Sequence, residues 1–361
     1  MINSDKRTLS LPEQDIYELL NDTKSPIIIY GMGNGADKII NELENRRIPV
    51  CGVAASDDFV RGQSFRGFKV QKISEVLEVY PNPIIIIAFG TALPEVMERI
   101  FALSEKITVL AADVPVYGDN IWCRGFYEEN KEDIEKTHEL LADEQSRLVF
   151  ENILHFKLTG RLSYLRKAYS DKREVFSEIL CLDAEESYLD LGAYRGDTID
   201  EFLRYTDGSY SHITALEPDR KNFAKLKQHT AGMENVRLFR MGIWSEDRDM
   251  YFSDALGRGS SLRENGGASL AVTKIDTLYA VRKLTYLKMD VEGSERQALL
   301  GGIHTLRRDM PKLNIAVYHR SEDIFSLPLL IHSIVPEYRI YLRQHPYIPA
   351  WDLNMYCVKN G

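Results

Sequence analysis

Apolar residues in the first third of the chain come in short unbroken runs separated by stretches of helical spacing, the pattern of strands covered on both faces of a parallel sheet. Residues 11–20 (LPEQDIYELL) carry apolar positions at helical intervals and predict a short lead-in helix. Pro26 to Tyr30 is an apolar run that ends in Gly31-Met32-Gly33-Asn34-Gly35, after which Ala36 to Leu43 returns to helical period. Strand, glycine turn and helix in that order open a parallel α/β unit. Further strands are predicted at 49–54, 83–89 and 107–111.

From Glu128 to about Lys167 charge rises and apolar residues recur every three or four positions (Leu140, Leu141, Leu148, Phe150, Ile153, Leu154, Phe156), predicting two helices in a charged connector. A second α/β series begins at Ser187. Its strands are predicted at 188–191, 213–216, 236–241, 286–289, 313–318, 338–343 and 355–358, with helices after the first, second and fourth. Residues 248–252 and 269–275 read as an inserted hairpin around a Gly/Ser-rich loop. The expected class is α/β with two Rossmann-like domains: a helix over 1–24, a first domain over 25–118, a helical linker over 119–180 and a second domain over 181–361.

Composition supports that division. The chain has 361 residues, 44% hydrophobic and 27% charged, enough to build two cores without disulfides. A net charge of −9 argues against a nucleic-acid backbone as main partner. Cys51, Cys123, Cys181 and Cys357 are widely spaced and form no C-x-x-C pair, as expected of reduced thiols. The first twenty residues lack an apolar leader, and no run approaches the ~20 apolar residues that cross a bilayer. A cytoplasmic protein with no membrane partner is expected, and a homo-oligomer is compatible with this.

Chemistry concentrates at three strand ends of the second series. In Asp190-Leu-Gly192-Ala193-Tyr194-Arg-Gly196-Asp-Thr198 the glycines admit a close backbone approach, and Asp190 suits a cationic ammonium where a phosphate would be repelled. The next strand ends in Glu217-Pro218-Asp219. A carboxylate there can accept both hydroxyls of a ribose, with Pro218 stopping the strand, or it can cap the following helix. In Lys288-Met-Asp290-Val-Glu292-Gly293-Ser-Glu295, alternation places Asp290 and Glu292 on one face of an extended stretch. Close carboxylates raise each other's pKa and suit proton transfer or a divalent cation; otherwise Glu292 and Glu295 complement a helix N-terminus.

Together DLGAYRGDT (190–198), ALEPD (215–219), MGIWS (241–245), KIDTL (274–278) and LKMDVEGSE (287–295) resemble the FkbM family of methyltransferases, over about residues 181–361. The resemblance implies a seven-stranded class I sheet, S-adenosylmethionine as methyl donor, and an O-methylated sugar, glycan precursor or small metabolite as product. It places Asp190, Gly192 and Tyr194 on the methionine and ribose side, within the loop that also holds Ala193, Gly196 and Thr198. Glu217, followed by Pro218, holds the ribose, Gly242 and Ile243 lie near the adenine, and Asp290 faces the reacting methyl.

Asp290, Glu292 and His319 are the candidates for the base. His319 ends the fifth strand, where it either accepts a hydroxyl proton or packs. The same three residues are compatible with a divalent cation. Residues 257–267 read as a substrate lid or a hairpin tip, and His345, Pro346, Tyr347 and Trp351 as a sugar-stacking cluster or as packing. The first domain, with Gly31-x-Gly33-x-Gly35 and Asp57-Asp58, resembles the nucleotide-sugar-binding domain of bacterial sugar acetyltransferases over about 25–115, or serves packing. The alternative for the whole chain is a nucleotide-sugar or NAD-binding module with a catalytically inert methyltransferase fold. No N-P-P-Y-like tetrapeptide or basic aromatic stripe favours a nucleic-acid substrate.

Overall fold

The computed structural model describes residues 12–253, 261–263 and 268–359. The first sheet contains β1 (Ile27–Tyr30), β2 (Gly52–Ala55), β3 (Gln71–Lys72), β4 (Ile84–Ile87) and β5 (Val109–Ala111) in the order β3-β2-β1-β4-β5. All four pairings are parallel, with Ile28 opposite both Gly52 and Ile85. Every residue of β1, β2, β4 and β5 is buried, which is why their sequences run apolar instead of alternating. Strand order reverses at β1, between β1 and β4, the place where sheets of this kind leave a crevice at their carboxyl ends unless the chain fills it.

The second sheet contains β6 (Ser187–Leu191), β7 (His212–Leu216), β8 (Val236–Phe239), β9 (Tyr286–Met289), β10 (Lys312–Ala316), β11 (Tyr338–Gln344) and β12 (Leu353–Lys359). Its order is β8-β7-β6-β9-β10-β12-β11, parallel except for β12, which runs antiparallel to β10 and β11. The seven predicted strands are all present, and both parallel sheets are of the expected α/β type. The reversal at β6 and β9 sets the carboxyl ends of those two strands side by side.

Three local differences have physical causes. The lead-in helix starts at Ile16, because Asp15 accepts the backbone N–H groups of Tyr17 and Glu18 while Glu18 returns to the Asp15 N–H. The connector forms three main helices, Arg124–Leu140, Glu144–Thr159 and Leu162–Ala168, because Gly160 takes a left-handed φ of 68° and closes the second. The predicted 236–241 strand leaves its sheet after Phe239, and Gly242–Ile243 joins a separate small sheet. That sheet holds the inserted hairpin, with Arg248 opposite Val272 and Tyr251 opposite Ser269. Most of the 257–267 loop lies outside the described residues.

The connector is not a solvated tether. Val149, Phe150, Ile153, Leu154 and Phe156 are buried in one apolar cluster with Ile28 and Ile85 of the first sheet and Leu287 and Ile315 of the second. A buried Lys157–Asp113 ion pair at 2.9 Å ties the connector to the segment after β5. That segment reaches the second sheet: the Tyr117 N–H donates to the His319 carbonyl at 2.9 Å, and the Trp122 indole donates to the Ser321 carbonyl at 3.1 Å. No helix among the described residues is long and apolar enough to cross a membrane.

Candidate functional site

The loop after β6 begins beneath the surface. Asp190 is fully buried (0% exposed); its Oδ2 accepts the Thr198 hydroxyl at 2.5 Å, and its Oδ1 lies 3.6 Å from the Lys288 ammonium without a hydrogen bond. Burial raises the Asp190 carboxyl above its ordinary range, against the pull of Lys288. The cation facing Asp190 is thus the chain's own lysine, which also donates to the Gly192 carbonyl at 3.1 Å. The glycine reading is likewise sharpened. A Cβ on Gly192, at φ 82°, would lie 1.9 Å from the Asp290 carbonyl oxygen, so the close approach is between strand ends β6 and β9.

Beyond Gly192 the loop turns outward. Ala193 is buried and Tyr194, at a left-handed φ of 48°, is 45% exposed with the Arg195 guanidinium 4.6 Å above its ring. Gly196 starts the helix Asp197–Tyr205. Across the loop, Glu217 is 6% exposed; Oε2 accepts the Tyr194 N–H at 2.9 Å and Oε1 the Asp219 N–H at 2.8 Å. Burial raises its carboxyl to about 7, with those two backbone donors opposing. The helix cap expected here belongs to Asp219, which accepts the Asn222 N–H, so Glu217 and Asp219 have separate roles on either side of Pro218. Gly242 and Ile243 lie buried in the small sheet, opposite Val272 and Thr273.

At the end of β9 the predicted extended run is absent. The chain turns, with Glu292 at φ 52° and Gly293 at φ 89°, and the turn gathers carboxylates around one imidazole. His319, 1% exposed at the end of β10, places Nε2 3.2 Å from Asp290 Oδ1 and 3.7 Å from Glu292 Oε2, while Nδ1 lies 2.8 Å from Glu295 Oε1. Glu295 Oε1 also accepts the Val291 N–H at 2.9 Å, which pins the turn to the following helix. Tyr318 donates to Asp290 Oδ1 at 3.4 Å.

The expectation that paired carboxylates raise one another fails for Asp290. Burial pushes its carboxyl up, but the His319 hydrogen bond and the Lys288 charge outweigh it and hold the group below the ordinary range. The His319 imidazole rises well above its usual value: burial opposes its charge, and the Glu295 and Asp290 carboxylates overcome that. Asp290 keeps 38% side-chain exposure.

The remaining sequence candidates go elsewhere. Asp57 accepts the Ser74 hydroxyl at 2.7 Å and its N–H at 3.3 Å, securing the helix Ile73–Val79. His345 is buried between the Tyr356 hydroxyl and the Ser170 carbonyl. Pro346 is exposed, and Tyr347 and Trp351 press on Gly90, so this cluster packs the second sheet's end against the first sheet. A cavity of 280 Å³ lined by Leu20, Lys24, Arg47 and Cys51 lies at the amino-terminal edge of the first sheet, and no paired acids converge on it.

Sequence reasoning assigns no role to Lys288 and gives Glu295 only that of complementing a helix N-terminus. Lys288 had a signal, a lysine inside an otherwise apolar strand, and in register it stands opposite Asp190.

Residues 190–349 match the family described as the methyltransferase FkbM domain. Among solved structures, the chain is similar to a methyltransferase FkbM from Methylobacillus flagellatus KT, with a TM-score of 0.72 and 21% identity over 97% of this chain and 94% of that one. It is also similar, at a TM-score of 0.34 and 14% identity, to Aeropyrum pernix fibrillarin in complex with natively bound S-adenosyl-L-methionine, over 52% of this chain and 71% of that one. No curated protein matches the chain.

Proposed function

We propose that the chain, whose residues 190–349 match the methyltransferase FkbM family, moves a methyl group from S-adenosylmethionine to a hydroxyl of a sugar, glycan precursor or small metabolite. The observation that carries the reading is the juxtaposition of two different strand-end devices on one rim. The Tyr194–Glu217 pair offers an exposed aromatic face and a fixed carboxylate, and the neighbouring β9 turn offers partly exposed carboxylates at Asp290 and Glu292.

The residues fit the donor. Glu217, held by two backbone N–H groups, presents a preset acceptor for ribose hydroxyls. Asp190, with its orphaned Oδ1, and Lys288 hold the loop floor, and Gly242 and Ile243 supply a buried apolar edge for the adenine. Bound S-adenosylmethionine supplies a methyl made electrophilic by its sulfonium. With it bound, an acceptor oxygen would bond to that carbon as the carbon–sulfur bond breaks, and the hydroxyl proton would pass to a base. Glu292 and Asp290 are the candidate acceptors of that proton, Asp290 the weaker base because His319 and Lys288 hold its carboxyl low. His319, with both ring nitrogens already facing carboxylates, positions them. Alignment of oxygen, carbon and sulfur supplies much of the rate in such a transfer.

The test is incubation of the full chain with S-adenosylmethionine and a panel of hydroxylated sugars, nucleotide sugars and small alcohols, followed by mass spectrometry. One acceptor gaining a single methyl on oxygen is expected. Methyl found only on nitrogen, carbon or nucleic acid would overturn the acceptor class.

A further inference from the structure

We infer that Arg320 is an anion-binding residue on the acceptor side of the site: its guanidinium, laid on Tyr117 beside the Glu292–Gly293 turn, takes the carboxylate or phosphate group of an acidic, sugar-like acceptor. That this anion belongs to a methyl acceptor rests on the function proposed above; the anion site itself stands without it.

Arg320 follows His319 at the end of β10, and three contacts fix it. Its Nε–H donates to the Gly293 carbonyl at 3.0 Å, its Cζ lies 4.3 Å from the centre of the Tyr117 ring, and its backbone N–H donates to Asp323 Oδ2 at 2.9 Å. A free arginine side chain loses rotamer freedom when it takes an anion, and here much of that loss has already occurred in folding. The shelf beneath it is itself braced. The Lys38 ammonium, on the helix Asn34–Asn45, donates to the Pro115 and Val116 carbonyls at 2.6 and 3.2 Å, and the Ser321 hydroxyl donates to the Asn120 carbonyl at 2.5 Å. The first sheet thereby holds a charged group of the second in place.

The amino edge of the guanidinium stays open. Arg320 is partly exposed, and neither Nη has a hydrogen-bond or ion-pair partner among the described residues. Gly118, at φ 88°, leaves that edge uncovered, since a Cβ there would touch Nη1 at 3.6 Å.

The nearby carboxylates do not claim it. Asp290 and Glu295 engage His319, Glu322 accepts the Asn120 amide at 3.2 Å, Asp323 takes the Arg320 backbone N–H, and Glu292 has partners of its own. Charge balance alone would draw the guanidinium onto one of these acids; instead it lies on a ring with its fork unpaired. Two N–H groups of such a fork match two oxygens of a carboxylate or phosphate. Gly293, to which Arg320 is bonded, directly follows Glu292, so an acid held here sits beside the candidate proton acceptors.

The probes are glucuronate, glucose 6-phosphate and glucose, titrated into the full-length chain and followed by nuclear magnetic resonance at the arginine Nε–H signals. The Arg320 signal is the one lost in Arg320→Gln. A saturable shift of that signal with at least one acid, and none with glucose, is expected; glucuronate alone marks a carboxylate site and glucose 6-phosphate alone a phosphate site. Arg320→Gln should weaken binding of the acid about tenfold or more through loss of charged hydrogen bonds. Arg320→Lys, which keeps the charge without the fork, should fall between the two. Melting curves show that the variants are folded, and the wild-type signal needs no variant. No shift with either acid, an equal shift with glucose, or unchanged affinity in Arg320→Gln would overturn the site. S-adenosylhomocysteine, titrated in parallel, separates the two claims. Acid binding without S-adenosylhomocysteine binding leaves the anion site and removes the methyl-transfer reading, and the reverse removes only the anion site.

Discussion

Both parallel sheets open with a strand, a glycine turn and a helix, and the two turns serve different ends. In the first sheet the chain fills its own carboxyl edge. A Cβ on Gly35 would meet the Ala88 carbonyl oxygen at 2.8 Å, Asp57 is engaged by Ser74, and Gly90 lies under Trp351. In the second sheet the corresponding edge collects Glu217, Asp290, Glu292 and His319 around a partly open rim. Among the described residues, three donors of metal-ligand type come together only there. A glycine turn is therefore architecture common to both sheets, and side chains from the neighbouring strand tips decide which edge does chemistry. The first sheet contributes as a buttress. Its post-β5 segment donates to the His319 carbonyl, and Tyr117 packs so tightly on Gly293 that a Cβ there would come within 2.9 Å of it.

The contrast is sharpest at the turns themselves. Gly192→Ala drives a Cβ into the Asp290 carbonyl at a left-handed φ, and should cost roughly 3 kcal/mol or more in chemical denaturation. Gly33→Ala meets open space and should cost only backbone strain, about 1–3 kcal/mol. Equal losses would erase the distinction between a glycine wedged against the neighbouring strand tip and a turn glycine with room.

A second, smaller effect concerns pH. Glu217 is raised to about 7 by burial, so its contribution to stability is present below the ordinary carboxyl range near 4.5 and is lost as pH climbs through about 7. The loss is at most about 3 kcal/mol, and Glu217→Gln should abolish that slope. Asp57 behaves oppositely: the Ser74 hydrogen bond lowers its carboxyl, so its contribution is lost as pH falls. Denaturation midpoints of wild type, Glu217→Gln and Asp57→Asn between about pH 2 and 8 read both signs, the Asp57 effect below about pH 4 and the Glu217 effect above it, and a shared sign would contradict the account.

Much of this was legible in the sequence, for a physical reason. Strands buried on both faces write themselves as apolar runs, and strand tips at a sheet's carboxyl edge carry the polar residues that end those runs. Hence Glu217, Asp290 and His319 stood out. What stayed hidden depends on pairing between distant segments. Lys288 meets Asp190 only through the register of β6 with β9. Glu295 reaches His319 only because the chain turns at Glu292 and Gly293, where alternation assumed an extended run. Likewise the connector's helices read as charged, while the faces that join the two cores become evident only when both sheets are in place.

The most direct test of the central claim is calorimetric titration of S-adenosylhomocysteine into wild type, Glu217→Ala and Asp57→Ala. Binding to wild type, weakened about tenfold to a hundredfold by Glu217→Ala through loss of its ribose acceptor and untouched by Asp57→Ala, is the predicted result. No heat with wild type, or equal weakening by both substitutions, would contradict the assignment of the cofactor to the second sheet.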